Sequence, residues 1–243
     1  MNFGKTILFA AMAAVCAGSA LAEEATNLSA ADRAIVAVAA HTANGDLGAL
    51  RQDLVAGLEA GLTVNELKEV LVQLYAYTGF PRSLNAIHAF MRLEDERAKA
   101  GIRDPQGKEA SPLPANIDKD AYGARMRADL AGRKEIPPAS GYQVFAPAID
   151  TFLKEHLFCD IFARDVLEPR ERELATIGAL AAMEGTSGQL VFHLNAAMNT
   201  GTNEAQMQDY LDVIRTRVSP DRADAARDVL ERVLKTRQEN ASR

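Results

Sequence analysis

The sequence predicts an all-α protein made of two tandem helical repeats, on three observations. Alanine, leucine, glutamate and arginine dominate, and no stretch sustains the two-residue alternation of β-branched residues expected of a strand. Capping residues, glycines and prolines mark helix starts and stops along the chain. Two hairpins also superimpose in sequence. Placing Leu28 on Leu167 puts Asp32 on Glu171 and Arg33 on Arg172; after a one-residue adjustment in the turn, Leu50 meets Leu190, Leu54 meets Leu194, Gly61 meets Gly201 and Leu71 meets Leu211. Leucine matches alone arise by chance between helices, but a shared arginine and a shared helix-stop glycine point to a duplicated unit of three helices.

Each element has a local cause. Residues 29–44 form a first helix with Ile35, Val38 and Thr42 near one face. Asp46 caps a second, running to Gly61 with Leu47, Leu50, Leu54, Val55 and Leu58 at helical spacing. Thr63 and Glu66 make a capping box that opens a third helix, apolar at Leu67, Val70, Leu71 and Leu74. Gly79 ends it, and Pro81 suits the first turn of a fourth that runs to about Ala100 and becomes highly charged from Glu94. Residues 101–118, rich in Pro, Gly, Lys and Asp, read as a linker. Helices follow at 119–132 and 144–157, separated by the Ile136-Pro137-Pro138 turn. A second hairpin then spans 168–183 and 189–200. Thr202 caps a helix to about Val218, and Ser219-Pro220 opens the last. The predicted organisation is a leader at 1–22, a first repeat at 23–100, the linker at 101–118 and a second repeat at 119–243.

The leader reading rests on one cation (Lys5), an apolar run from Ile7 to Ala17 and an Ala20-Leu21-Ala22 ending, the layout of a cleavable secretory signal. That run is too short for the roughly 20 residues of a transmembrane helix, and Ala-Ala-Val before Cys16 matches a lipoprotein signal poorly. The mature chain is therefore expected in the periplasm or outside the cell, without a membrane anchor. Removing Lys5 shifts the net charge from −6 to −7. An acidic chain without a basic cluster is a poor partner for nucleic acid. With 48 % hydrophobic residues it can fill a sizeable core. Only Cys159 remains after processing, so an internal disulfide and an intramolecular dithiol cycle are both excluded.

Two blocks carry a family resemblance. Gly61-Leu62-Thr63-Val64-Asn65-Glu66-Leu67 followed by Tyr77-Thr78-Gly79-Phe80-Pro81-Arg82 is one. Phe162-Ala163-Arg164-Asp165, Arg172-Glu173-Leu174-Ala175 and His193-Leu194-Asn195-Ala196-Ala197 form the other. Both resemble the carboxymuconolactone-decarboxylase family, which shares its fold with the alkylhydroperoxidase D proteins. The resemblance covers nearly all of the chain outside the leader and linker. It implies packed helical hairpins, homo-oligomers (a trimer or a higher even assembly), and decarboxylase or thiol-peroxidase chemistry on a small molecule. The peroxidase branch pairs a Cys-x-x-Cys with a following histidine and a glutamate on the preceding helix. Counted back from His193, the thiol positions fall on Gln189 and about Thr186, so that cycle lacks its sulfurs.

The acid–base part survives. Glu173 and His193 lie at comparable distances from the turn of the second hairpin, so an antiparallel pair rising about 1.5 Å per residue brings them to within about one turn of each other. A carboxylate there orients a histidine able to give or take a proton near neutral pH. The alternative is that both merely decorate a half-buried seam. The matching positions of the first repeat hold Ala34 and Asp53. A second group, Tyr75, Tyr77, Arg82 and His88, clusters around the Gly79-Pro81 corner. There an arginine fork suits a substrate carboxylate, or the aromatics are core and Arg82 is solvated. Arg164 and Arg172 have similar standing, although Arg172 belongs to a charge run that reads as a solvated first turn. His156 is expected at the surface, His41 in the core or an interface, and Cys159 buried and inert among apolar neighbours. Nothing has metal-ligand spacing, and no cofactor is implied.

Three functions follow: an acid/base (lyase-type) enzyme acting on a carboxylated or lactone-like molecule, a noncatalytic binding or assembly protein on the same scaffold, and a thiol antioxidant that would require an exposed Cys159.

Overall fold

The computed structural model describes residues 27–242; the predicted leader lies outside them. Among the described residues the regular structure is helical throughout. Two helices form the centre, α1 (Ala30–Asn44) and α8 (Pro169–Ala182), and both are buried along most of their length. Their composition explains the position. Ala34, Ala37, Ala39, Ala40 and Ala43 on one helix and Ala175, Gly178, Ala179, Ala181 and Ala182 on the other let the backbones approach closely. At the crossing, a Cβ on Gly178 would stand 2.6 Å from the Val36 carbonyl oxygen, so only glycine fits there.

Around this pair the duplication is visible element by element. α2 (Leu47–Glu59) matches α9 (Ser187–Asn199), and the first part of α3 (Val64–Lys99) matches α10 (Glu204–Arg217). The repeat extends to a fourth member, because the part of α3 beyond Gly79 matches α11 (Pro220–Ala241). Gly79, at φ 76° and ψ 160°, breaks α3 where Ser219, at φ −168° and ψ 158°, separates α10 from α11. The positive φ is why glycine stands at the first of these corners. Both third helices open with a complete capping box, Thr63 with Glu66 and Asn203 with Gln206. Such a cap contributes about 1 kcal/mol. The cap of α10 is thus Asn203 rather than the preceding Thr202, which is buried. Arg172 pairs with Glu69 and, at the equivalent place, Arg33 pairs with Asp209.

The chain between the repeats does two things. Residues 101–118 have no helix but are tied down: the Val64 and Asn65 amides, free at the start of α3, donate to the Pro105 and Gln106 carbonyls. Next come α4 (Lys119–Leu130), α5 (Tyr142–Phe145), α6 (Pro147–Thr151) and α7 (Phe152–Ile161). The single helix expected at 144–157 is instead broken at Ala146-Pro147 and continues from Phe152 as a π-helix. Proline supplies no amide to bridge the break. In a π-helix residues i and i+5 align, so Leu153 and Phe158 share a face, as do Leu157 and Phe162. These side chains build a small second core with Leu130, Ile161 and Ala196, joined by Tyr75, Tyr77, Met126 and Phe192. The inserted hairpin is thereby held against α9 and the middle of α3, forming one wall of a cleft.

Candidate functional site

α8 and α9 run antiparallel, and the register places Glu173 opposite His193. The His193 Nδ1–H donates to Glu173 Oε2 at 2.7 Å. Glu173 is fully buried and His193 is 5 % exposed. His193 Nε2 has no protein hydrogen bond among the described residues, and the side chain lines a cleft of about 570 Å³. The ring is fixed by edge-on packing against Phe192 (centroids 5.0 Å apart) and Tyr77 (5.5 Å). A carboxylate on one nitrogen settles which ring nitrogen is left to face a ligand.

Tyr77 comes from the other repeat. It is half-buried as a residue, yet its hydroxyl is closed off from solvent and has no hydrogen-bond partner. The neighbouring Thr176 Oγ1 is already engaged, donating to the Arg172 carbonyl and accepting from Gln73 Nε2. Burial, reinforced by the nearby Glu173 charge, holds the Tyr77 phenol far above the ordinary tyrosine range. It therefore remains a neutral hydroxyl. Glu173 Oε1 is likewise buried and unpartnered.

Beneath this group lies a buried polar network. Arg172 is inaccessible to solvent; Nη1 donates to Gln73 Oε1 (2.9 Å), and Nη2 donates to Glu69 Oε1 (2.8 Å) and to the Arg164 carbonyl (2.6 Å). Arg164 grips the same Glu69 carboxylate through Nε and Nη2. Burial pulls the Arg172 pKa down, and Glu69 opposes that shift. Arg172 thus ties α8 to α3 and offers a substrate no accessible donor. A solvated place in the first turn is also excluded for Arg172; Arg170, two residues earlier, is the partly exposed one and crosses to Asp32 on α1.

The structure separates the remaining sequence candidates. Arg82 and His88 are exposed on the outer side of α3 beyond the Gly79 corner, which turns them away from the cleft. Tyr75 stacks on Phe80 (4.5 Å), packs at a tilt against His156 (5.5 Å), and does not line the cleft. His156 is at the surface, paired with Asp160. Cys159 is fully covered, and burial together with Asp160 raises its thiol pKa. It is therefore not accessible to a substrate in this structure. Thr186 and Gln189, at the positions where the peroxidase branch carries its thiols, do line the cleft beside His193. Among the described residues no group of three His, Cys, Asp or Glu side chains is placed to hold a metal, and no helix is long and apolar enough to cross a membrane.

Two cleft residues escaped the sequence reading. Arg127 on α4 is the cation that lines it, anchored by Nη1 to Asp150 Oδ1 (2.7 Å) with Tyr142 alongside. Burial works against the Asp150 carboxylate, but Arg127, Gln143 and Lys154 outweigh it and hold its pKa below the usual range. Much of the remaining lining is apolar: Leu153, Leu157, Phe158, Leu180 and Met183. No local motif marks Arg127 or Tyr142, since both belong to the inserted hairpin and reach the cleft only through tertiary packing.

The model of the carboxymuconolactone decarboxylase family matches residues 8–91 and 147–232. The first match begins inside the predicted leader, and the second begins at the Pro147 break, leaving α4 and α5 between the two matches. No curated protein matches the chain.

Proposed function

The chain belongs to the carboxymuconolactone decarboxylase family, and from that premise we propose that it is an acid/base enzyme acting on a small carboxylated or lactone-like molecule bound in the cleft. One observation carries the reading: His193 is oriented by a buried carboxylate through Nδ1 while its Nε2 is left to a largely apolar cleft. The cleft volume of about 570 Å³ suits a small molecule. Arg127 supplies the planar donor pair for a nonreacting carboxylate. A second, reacting carboxylate against Leu153, Leu157 and Met183 is poorly solvated, which favours its loss as carbon dioxide. The C–C electron pair passes into the adjoining conjugated carbonyl, and Nε2–H of the imidazolium then delivers its proton to the carbon. Solvent restores the proton to His193. Tyr77, held neutral, closes the floor of the site. Among the described residues no thiol lines this cleft, so dithiol peroxidase chemistry lacks its nucleophile there.

The test is a turnover and thermal-shift screen against small dicarboxylic acids and lactones. For any substrate found, His193→Ala should cost about 10²–10⁴-fold in turnover with an unchanged helical spectrum. Glu173→Gln should slow turnover with little change in KM. Ligands that stabilise the protein and are never turned over would instead identify a binding module on this scaffold.

Export is part of the same proposal and rests on the Ala20-Leu21-Ala22 ending. So does self-association. Phe80, Leu84 and Met91 on α3, and Val144, Phe145 and Phe152 on the inserted hairpin, are exposed apolar side chains, and Phe145 is 92 % exposed. Solvent-exposed surface of this kind favours association between copies.

A further inference from the structure

The duplication generates the His193 cleft twice, and the second copy is chemically different. The repeat correspondence carries Glu173 to Ala34, Thr176 to Ala37, His193 to Asp53, Ala76 to Thr216 and Tyr77 to Arg217. These five counterparts line a single pocket of about 380 Å³ between α1, α2 and α10. Each site therefore takes its first two helices from one repeat and its third from the other.

In this pocket the proton-transfer group has become an ion-pair floor. Asp53 is buried; its Oδ2 accepts from His41 Nδ1 at 2.5 Å and its Oδ1 accepts from Arg217 Nη2. His41 Nε2–H donates to the Arg217 carbonyl at 3.0 Å, at the C-terminal end of α10. Both nitrogens of His41 thus face oxygen atoms, the Asp53 carboxylate on one side and the last carbonyl of α10 on the other. Asp53 divides its two oxygens between His41 and Arg217, so Arg217 is held by one oxygen only. Its side chain is 39 % exposed at the pocket. Arg33, 41 % exposed and paired with Asp209 only through Nη1 at 3.3 Å, lines the same pocket. Each guanidinium has five N–H donors, so both keep several free. Ala30, Ala34, Ala37 and Ala56 supply apolar surface between them.

We propose that this pocket is a second, noncatalytic binding site for a small organic monocarboxylate, held by the Arg217 and Arg33 guanidinium groups with its short alkyl body on the alanines. The inference stands independently of the reading of His193. Here no residue presents a free acid or base: Asp53 and His41 satisfy each other, and the tyrosine and glutamate of the other site are absent. The pocket binds and does not turn over.

The test uses butyrate as the probe and uncharged butyramide as the control, titrated into the full chain by calorimetry and followed by ligand-observed NMR. Butyrate should bind more tightly than butyramide. Ala56→Leu, which adds a side chain at an exposed helical position lining the pocket, should weaken butyrate by about tenfold or more, because the added atoms overlap the space its alkyl body takes. Arg33→Gln should weaken it in the same direction. Arg217→Gln should do so most strongly, but it also releases the buried Asp53 and can unfold the protein, so the decision rests on Ala56→Leu. The cleft variant Arg127→Gln supplies the contrast, since a pocket-bound butyrate is indifferent to it. The proposal is overturned if butyrate fails to bind up to ~10 mM, beyond the weak end of ordinary affinities. It is equally overturned if butyrate binds unchanged to Ala56→Leu, or if Arg127→Gln alone removes the binding.

Discussion

Arg172 and Arg33 occupy equivalent places in the two repeats and face equivalent acids, yet the structure assigns them very different energies. Arg172 is fully buried, and its guanidinium meets Glu69, Gln73 and the Arg164 carbonyl. Truncating it to alanine orphans the Gln73 and Arg164 acceptors inside the protein. Removing one member of a buried pair costs about 3–5 kcal/mol. Here Glu69 keeps its paired bonds from Arg164, so the loss should fall near the lower limit, ~3 kcal/mol. A domain of this size loses roughly 2–4 °C in Tm per kcal/mol, which gives a fall of about 6–12 °C. Arg33 is 41 % exposed and its contact with Asp209 is 3.3 Å. Such pairs contribute about 0.2–1 kcal/mol, so Arg33→Ala should lower Tm by no more than ~4 °C. Melting followed by circular dichroism at 222 nm, with urea titration to check that cooperativity is retained, measures both. If Arg172→Ala melts within ~2 °C of the parent, or the two variants lose equal stability, the burial argument is wrong. A variant that keeps its Tm but loses only substrate affinity would return Arg172 to the binding role its sequence context first suggested.

Other consequences can be checked in parallel. Gly178→Ala places a Cβ 2.6 Å from the Val36 carbonyl oxygen and should cost about 1–3 kcal/mol, seen as a lower urea midpoint at an unchanged slope. Asp150 has a lowered pKa in the folded protein, so its contribution is present above the unfolded-state value of about 3.9 and is lost as pH falls through the folded value. The stability difference between the parent and Asp150→Asn should therefore be flat from neutral pH to about pH 5 and shrink below ~4; a difference that grew on acidification would reverse the sign of the argument. Cys159→Ser should leave peroxide sensitivity unchanged, because the thiol is covered. Light scattering across a dilution series should show an oligomer, and Phe145→Ser should shift it toward smaller species. N-terminal sequencing of exported material should begin at Glu23.

The parts that could be read from sequence are those whose partners are fixed by helical geometry alone. Glu173 and His193 sit on one hairpin with a short turn, so counting residues brings them level, and the 2.7 Å bond follows from that register. Thr63 with Glu66, the Gly79 corner and the final Ser219-Pro220 start are equally local. Arg172 was not readable in the same way. In Pro169-Arg170-Glu171-Arg172-Glu173 the charges look like one solvated turn, but successive side chains diverge around the axis. Arg170 stays partly exposed and crosses to Asp32 on α1, while Arg172 and Glu173 are fully buried. Arg82 and His88 failed for the complementary reason: the corner beside them is real, but it turns them outward. Arg127 and the π-helical α7 depend on how the inserted hairpin docks, which no local pattern encodes.

The second pocket lies between these cases and shows what duplication does to a site. Its Ala34 and Asp53 were visible as departures from Glu173 and His193, yet the residue that gives the departure meaning, Arg217, comes from the other half of the chain. The crossing of α1 with α8 exchanges the third helix between sites, so a substitution at 77 edits the His193 cleft and one at 217 edits its twin. Gene duplication followed by divergence can then change one site without disturbing the other, because the shared element is the small-residue crossing. That crossing is tightly constrained at Gly178 and Val36. The two pockets are free to differ because the backbone between them is not, and the Glu–His pair and the Asp–Arg floor are two chemistries built on one scaffold geometry.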